Sequence, residues 1–160
     1  MAARARGRWA ERGSVSVEIA ILAPIFVLLF GMAVVAGRQA IAENAVSAAA
    51  HDAARASSIS RTAAQAQTAG DTAVTQRLAE QGLNCQPAAA VTLSGTSAVS
   101  GGTNWSLQEA FAQPLGDPVF IVANVTCVVS YQDLAGLGLP QTAPVSARFV
   151  SPLDRYRSRG

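Results

Sequence analysis

From Val15 to Ala36 the chain has only one ionisable side chain, Glu18, in a run of otherwise apolar or small residues. At about 1.5 Å per residue, a helix over this run spans the roughly 30 Å hydrocarbon core of a bilayer. A carboxylate in such a helix costs about 2.5–3.5 kcal/mol at mid-membrane and less near an end. Glu18 lies near the start of the run, so the penalty is reduced but not removed. An acid placed there is a candidate functional residue, and the question is what compensates it. Pro24 removes one helical hydrogen bond and predicts a local kink.

The charge distribution orients the span. Residues 1–12 carry Arg4, Arg6, Arg8 and Arg12 against Glu11, a net of +3, whereas the remainder carries eight Arg against nine acids. A basic segment directly before a span places residues 1–12 in the cytoplasm and the chain from residue 38 onward outside. The sequence pI near 8.9 is therefore no argument for nucleic-acid binding. Cys85 and Cys127 both fall on the outer side, where disulfides persist. Their separation excludes a C-x-x-C redox or metal motif. A bridge between them and two buried thiols are the alternatives, and the compartment favours the bridge.

A basic leader ending in Gly13, then Ser14, then an apolar helix with Glu18 at the fifth position after the glycine, resembles type IV prepilins. The fuller run Glu11-Arg12-Gly13-Ser14-Val15-Ser16-Val17-Glu18-Ile19-Ala20, followed by Pro24, resembles the TadE-like pseudopilins of the tight-adherence pilus system. The resemblance implies cleavage after Gly13 by a prepilin peptidase. Ser14 would then carry the new α-ammonium, and Glu18 would pair with that group or with its equivalent on a neighbour, setting the register between subunits. It further implies a structural protein of the bacterial cytoplasmic membrane, with other pilins and the assembly machinery as partners. The better-known pilins begin with an aromatic residue or Met where this chain has Ser14, which leaves N-methylation of the mature terminus open.

Beyond the span, residues 38 to about 69 contain no Pro or Gly and many Ala, which favours a continuing helix. Ile41, Ala45, Ala48, Ala49, Asp52, Ala56 and Ile59 fall at helical spacing. That stripe of small residues suits close packing on the chain's own outer domain or on neighbouring subunits. Gly70 is expected to end this helix. Asp71 is then expected to cap a short helix from Thr72 to Gln81, closed by Gly82.

The periodicity next changes to two. Val91 and Leu93 predict a short strand and residues 95–104 a loop, with a brief helical turn expected from Ser106. Val119 to Tyr131 predicts the main strand, with Val119, Ile121, Ala123, Val125, Cys127, Val129 and Tyr131 on its core face. Leu134 to Pro140 reads as an apolar, Gly-rich loop, and Val145, Ala147 and Phe149 as a last strand. The expected fold is α+β: a long N-terminal helix packed on a short helix and a small antiparallel three-stranded sheet. The expected organisation is a leader over 1–13, a span over 14–37, an outer helix over 38–69 and an α+β domain over 70–160.

The sequence offers little to an enzyme reading. The single histidine, His51, adjoins Asp52, and neighbours i and i+1 on a helix do not face each other. No G-x-S-x-G, P-loop or H-E-x-x-H motif is present. Neither a metal, a cofactor, a small-molecule substrate nor catalysis is expected. Two other readings compete: an uncut signal anchor, and a secreted domain released at Ala40-Ile41-Ala42 to begin at Glu43. Against release, the apolar run of about 22 residues exceeds the 7–15 of a signal-peptide core.

Overall fold

The computed structural model describes residues 10–132 and 141–154, with side chains from Ser16 onward. Trp9 and the leader before it, the 134–140 loop and the basic tail after Asp154 lie outside the described residues. Helix α1 runs unbroken from Ala10 to Ser58, with Pro24 inside it. Helix α2 covers Ala63–Glu80 and α3 Leu107–Ala112. The described residues also form four strands, β1 (Ala90–Thr96) and β2 (Asn104–Ser106) before α3, and β3 (Phe120–Ser130) and β4 (Thr142–Pro152) after it. They form one antiparallel sheet in the order β2-β1-β3-β4.

The fold is thus α+β as expected, with a fourth strand. Residues 95–104 were expected to be loop, yet Gly95 and Thr96 extend β1, and Asn104 opens β2 by pairing with Thr96. A three-residue strand is too short to show alternation, so only its pairing reveals it. The helical turn expected from Ser106 is α3. The Ser106 hydroxyl accepts from the Glu109 backbone N–H (3.3 Å), and the Glu109 carboxylate accepts from the Ser106 N–H (2.7 Å).

The first helix ends earlier than expected, and Gly70 does not end it. The stop is the run Ser57-Ser58-Ile59-Ser60-Arg61-Thr62. Ser58 and Ser60 donate their hydroxyls to the carbonyls of Arg55 (2.9 Å) and Ala56 (3.1 Å), drawing the backbone out of the helical ladder. Thr62 then caps α2, accepting from the Gln65 N–H at 3.2 Å. Asp71 is no cap; it lies inside α2 and accepts from Gln67 one turn earlier. Gly82 does close α2, with φ +65° and the paired bonds Gly82 N→Ala79 O and Leu83 N→Leu78 O of a Schellman end.

Gly70 faces the core because α2 crosses α1 and β1 closely there. A Cβ on residue 70 would stand 2.8 Å from both Ser57 Oγ and Leu93 Cδ1. Ser57 is fully buried and its hydroxyl is held on the Ala66 carbonyl at 2.9 Å. Gly70→Val is therefore expected to destabilise by about 1–3 kcal/mol through overpacking. This loss outweighs the gain in helix propensity, which is only about 0.3 kcal/mol because valine is itself a weak helix former. A thermal midpoint equal to that of the wild type would show that the contact has room to give.

The core confirms the main strand. All seven residues assigned to its inner face, Val119 to Tyr131 in alternation, are buried. Those from Ala123 to Tyr131 share a cluster with an α1 face of Ala42, Ala45, Val46, Ala49, Ala50, Ala53 and Ala54, which the buried Ser57 extends. This face is rotated from the expected stripe: Ile41 and Ile59 are 61% and 66% exposed. With alanine on nearly every side, the sequence gives the helix little hydrophobic contrast to fix its rotation. Contact with α2, β3 and β4 together sets the face and makes it wide.

Two clusters divide the core. The larger lies along α1, α2 and the sheet. The smaller sits under α3 and joins Ala66, Phe111, Ile121 and Leu153. Helices α1 and α2 are joined by the 59–62 turn, so that turn and α3 mark the end of the domain far from the apolar run. Tyr131 and the α2 C-terminus mark the near end.

Candidate functional site

Two groups of residues were expected to matter, one on the N-terminal part of α1 and one at the cysteines. Gly13, Ser14 and Glu18 all fall within α1. Residues four apart on a helix share a face, about 6 Å apart along the axis, so the backbone of Ser14 and that of Glu18 are stacked one turn apart. Glu18 and its neighbours from Ser16 onward are exposed in the isolated chain. Ile19, Phe26 and Phe30 are 60%, 65% and 73% exposed. A continuous apolar surface of this kind needs lipid or other helices against it. By length and composition α1 could cross a membrane, with a mean hydropathy of 2.8 over its most apolar window.

The cysteines are brought together. Cys85, in the connection after α2, is bonded to Cys127 in the C-terminal half of the interior strand β3, across a sequence separation of 42. Cys127 is buried, and the adjacent Gln86 N–H donates to the Val128 carbonyl at 3.0 Å. The bridge therefore ties the end of the helical hairpin to the middle of the sheet.

Between the helices lies a charged cluster that sequence reasoning missed. Asp52 on α1 receives Nε and Nη2 of Arg77 on α2 at 2.7 and 2.6 Å, and Arg77 also reaches Glu80 at 3.2 Å. His51 Nδ1 lies 3.3 Å from Asp52 Oδ1, so these sequence neighbours do meet, contrary to the expectation for adjacent helical positions. The histidine ring packs edge-on to Phe149 of β4, with centroids 4.4 Å apart. Only the antiparallel packing of α2 on α1 pairs residues 52 and 77, and no local sequence signal marks them.

Burial raises the Asp52 carboxyl pKa, but hydrogen bonds from Arg77 and His51 outweigh it and leave the group below its ordinary value. Asp52 lies well beyond the 15–36 run, on the packed part of α1. A carboxylate held low in the folded state stabilises it above the unfolded value, near pH 4, and that contribution fades as pH falls further. Arg77→Met is thus expected to be less stable than wild type at pH 7, with the difference shrinking towards nil below about pH 4. Parallel urea titrations across that range check it; a gap independent of pH would mean that the arginine acts by packing alone.

Among the described residues, no three His, Cys, Asp or Glu side chains are placed to hold a metal. A surface depression between Ala56 of α1 and one side of α2 is lined mainly by Ala and Thr.

An apolar helix long enough to cross a bilayer is thus continuous with the packed helix of a small α+β domain. Residues 13–55 match the TadE-like protein family. The match begins at the candidate processing glycine, includes Glu18 and ends three residues before α1 does. The similarity is thus confined to the N-terminal helix. No curated protein and no solved structure matches the chain.

Proposed function

We propose that this chain is a single-span, minor-pilin-like subunit that builds or helps to assemble a bacterial adhesion pilus. A prepilin peptidase cuts it after Gly13. The leader faces the cytoplasm, and the domain from residue 38 lies outside. Its partners are other pilins or pseudopilins and the membrane-bound assembly machinery, and its role is structural rather than catalytic. The observation that carries this reading is the TadE-like match over residues 13–55, which includes Gly13, Ser14 and Glu18 in one stretch of α1. Retention of the anchor is supported by packing: Ala42 is fully buried, and Gln39 accepts from the Tyr131 hydroxyl at 2.7 Å. Release after Ala42 would strip both Gln39 and Ala42 from the domain.

The test is the N-terminus of the mature protein, read by mass spectrometry on membranes of the native host. A start at Ser14 is expected. A start at Glu43 would instead identify a secreted domain, and an intact leader an uncut anchored one.

A further inference from the structure

Helix α1 has no break between the apolar run and the packed domain, so the domain stands at a fixed height above whatever surface the run crosses. That height is small. Gln39, which holds the Tyr131 hydroxyl, lies about 4–5 Å along the axis beyond Ala36, and Ile41 about 7–8 Å beyond it. The headgroup layer on each side of the hydrocarbon core is roughly 5–8 Å thick. The near end of the domain thus begins inside that layer.

The surface there has the matching character. A groove of ≈ 340 Å³ is lined by Arg38, Ile41, Leu83, Asn84, Val129 and Tyr131, among others. It brings the turn after α2 to the same level as the first residues beyond the apolar run. Ile41 is 61% exposed, and the aliphatic side chains of Leu83 and Val129 lie beside amide and guanidinium groups. An arginine stem can lie along apolar surface while its head reaches a polar layer. This mixed lining suits a headgroup layer, where apolar stems and polar heads are both accommodated.

We propose that this end of the domain is seated on the outer-leaflet headgroups, with phospholipid occupying the groove, so that the chain contacts the membrane twice: through its span and through the Gly82–Gln86 turn. The inference rests on reading residues 15–36 as the span. A domain seated in this way keeps one orientation relative to the bilayer before assembly, because swinging about the span would pull the turn from the headgroup layer.

Tryptophan depth measurements test it in the full chain, reconstituted in phosphatidylethanolamine–phosphatidylglycerol vesicles. The native tryptophans are first replaced (Trp9→Phe, Trp105→Phe), and one new tryptophan is then placed at Asn84, at Ser100 in the far loop, or at Leu28 in the apolar run. Asn84 and Ser100 are exposed. Asn84→Trp should lose most of its fluorescence to a nitroxide in the lipid headgroup and little to one at the acyl-chain end. Ser100→Trp should lose little to either, and Leu28→Trp should be quenched by the deep label. If Leu28→Trp is quenched but Asn84→Trp is not, the seating is wrong and the span stands. If neither is quenched, the span reading fails and the seating with it. Independently of any substitution, a phospholipid carrying a diazirine in its headgroup should label the wild-type peptide containing residues 82–86 and spare residues 97–103. Equal labelling of both peptides, or labelling of the far loop alone, overturns the proposal.

Discussion

Removing the Cys85–Cys127 bridge is expected to bring the domain close to unfolding. The bond closes a loop that contains β1, β2, α3 and most of β3. For a separation of 42 the loop-entropy account gives about 4 kcal/mol, from constraint of the unfolded chain. Small domains have only about 5–15 kcal/mol in total, and this core is built largely from alanine and valine. The α1 face contributes seven alanines and valines and one serine, each burying little apolar area.

The check is urea unfolding of the full chain in detergent, oxidised and reduced, followed by the double variant Cys85→Ala/Cys127→Ala. Reduction removes the bond and leaves both side chains in place, so it isolates the link from the packing of Cys127. Both treatments should lower the midpoint sharply and by similar amounts. An unchanged midpoint after complete reduction would falsify the claim that the bridge holds the hairpin to the sheet.

Glu18→Ala is expected to leave insertion intact and to abolish pilus assembly. Removing the carboxylate from an apolar helix saves up to about 2.5–3.5 kcal/mol of insertion cost, so membrane levels should hold or rise. What is lost is the partner of an ammonium. In the proposed mature chain Ser14 and Glu18 stand one helical turn apart, and an acid there can meet its own terminus or that of an adjacent helix. Two charges paired within an apolar bundle relieve each other, whereas removing one leaves the other uncompensated at a cost of about 3–5 kcal/mol. The variant should be found in membranes at normal abundance in cells that lack piliation. Normal piliation would sink the pairing role while leaving the TadE-like match over residues 13–55 untouched. Glu18→Gln distinguishes charge from shape: it should fail to assemble as Ala does.

The sequence alone determined the features that arise from local patterning. The apolar run makes the N-terminal part of α1 long and apolar enough to cross a membrane. The alternation of Val119 to Tyr131 fixes the buried face of β3, and the Gly82 stop and the capping of α3 are written in a few adjacent residues. The Gly13-to-Glu18 spacing likewise needs no fold to be recognised. What only the tertiary structure decided depends on residues distant in the chain. The turn at 59–62 was obscured because serine and threonine are weak helix breakers and take effect only when their hydroxyls find carbonyls. Gly70 looked like a stop because a glycine demanded by close packing cannot be told from a glycine ending a helix until α1 and β1 are in place. The rotation of α1 stayed open because alanine is nearly neutral between core and surface. The Asp52–Arg77 pair, the β2 strand and the stretch of α1 that the domain covers all follow from antiparallel docking of α2 and the sheet against one continuous helix. No local window of the sequence contains that information.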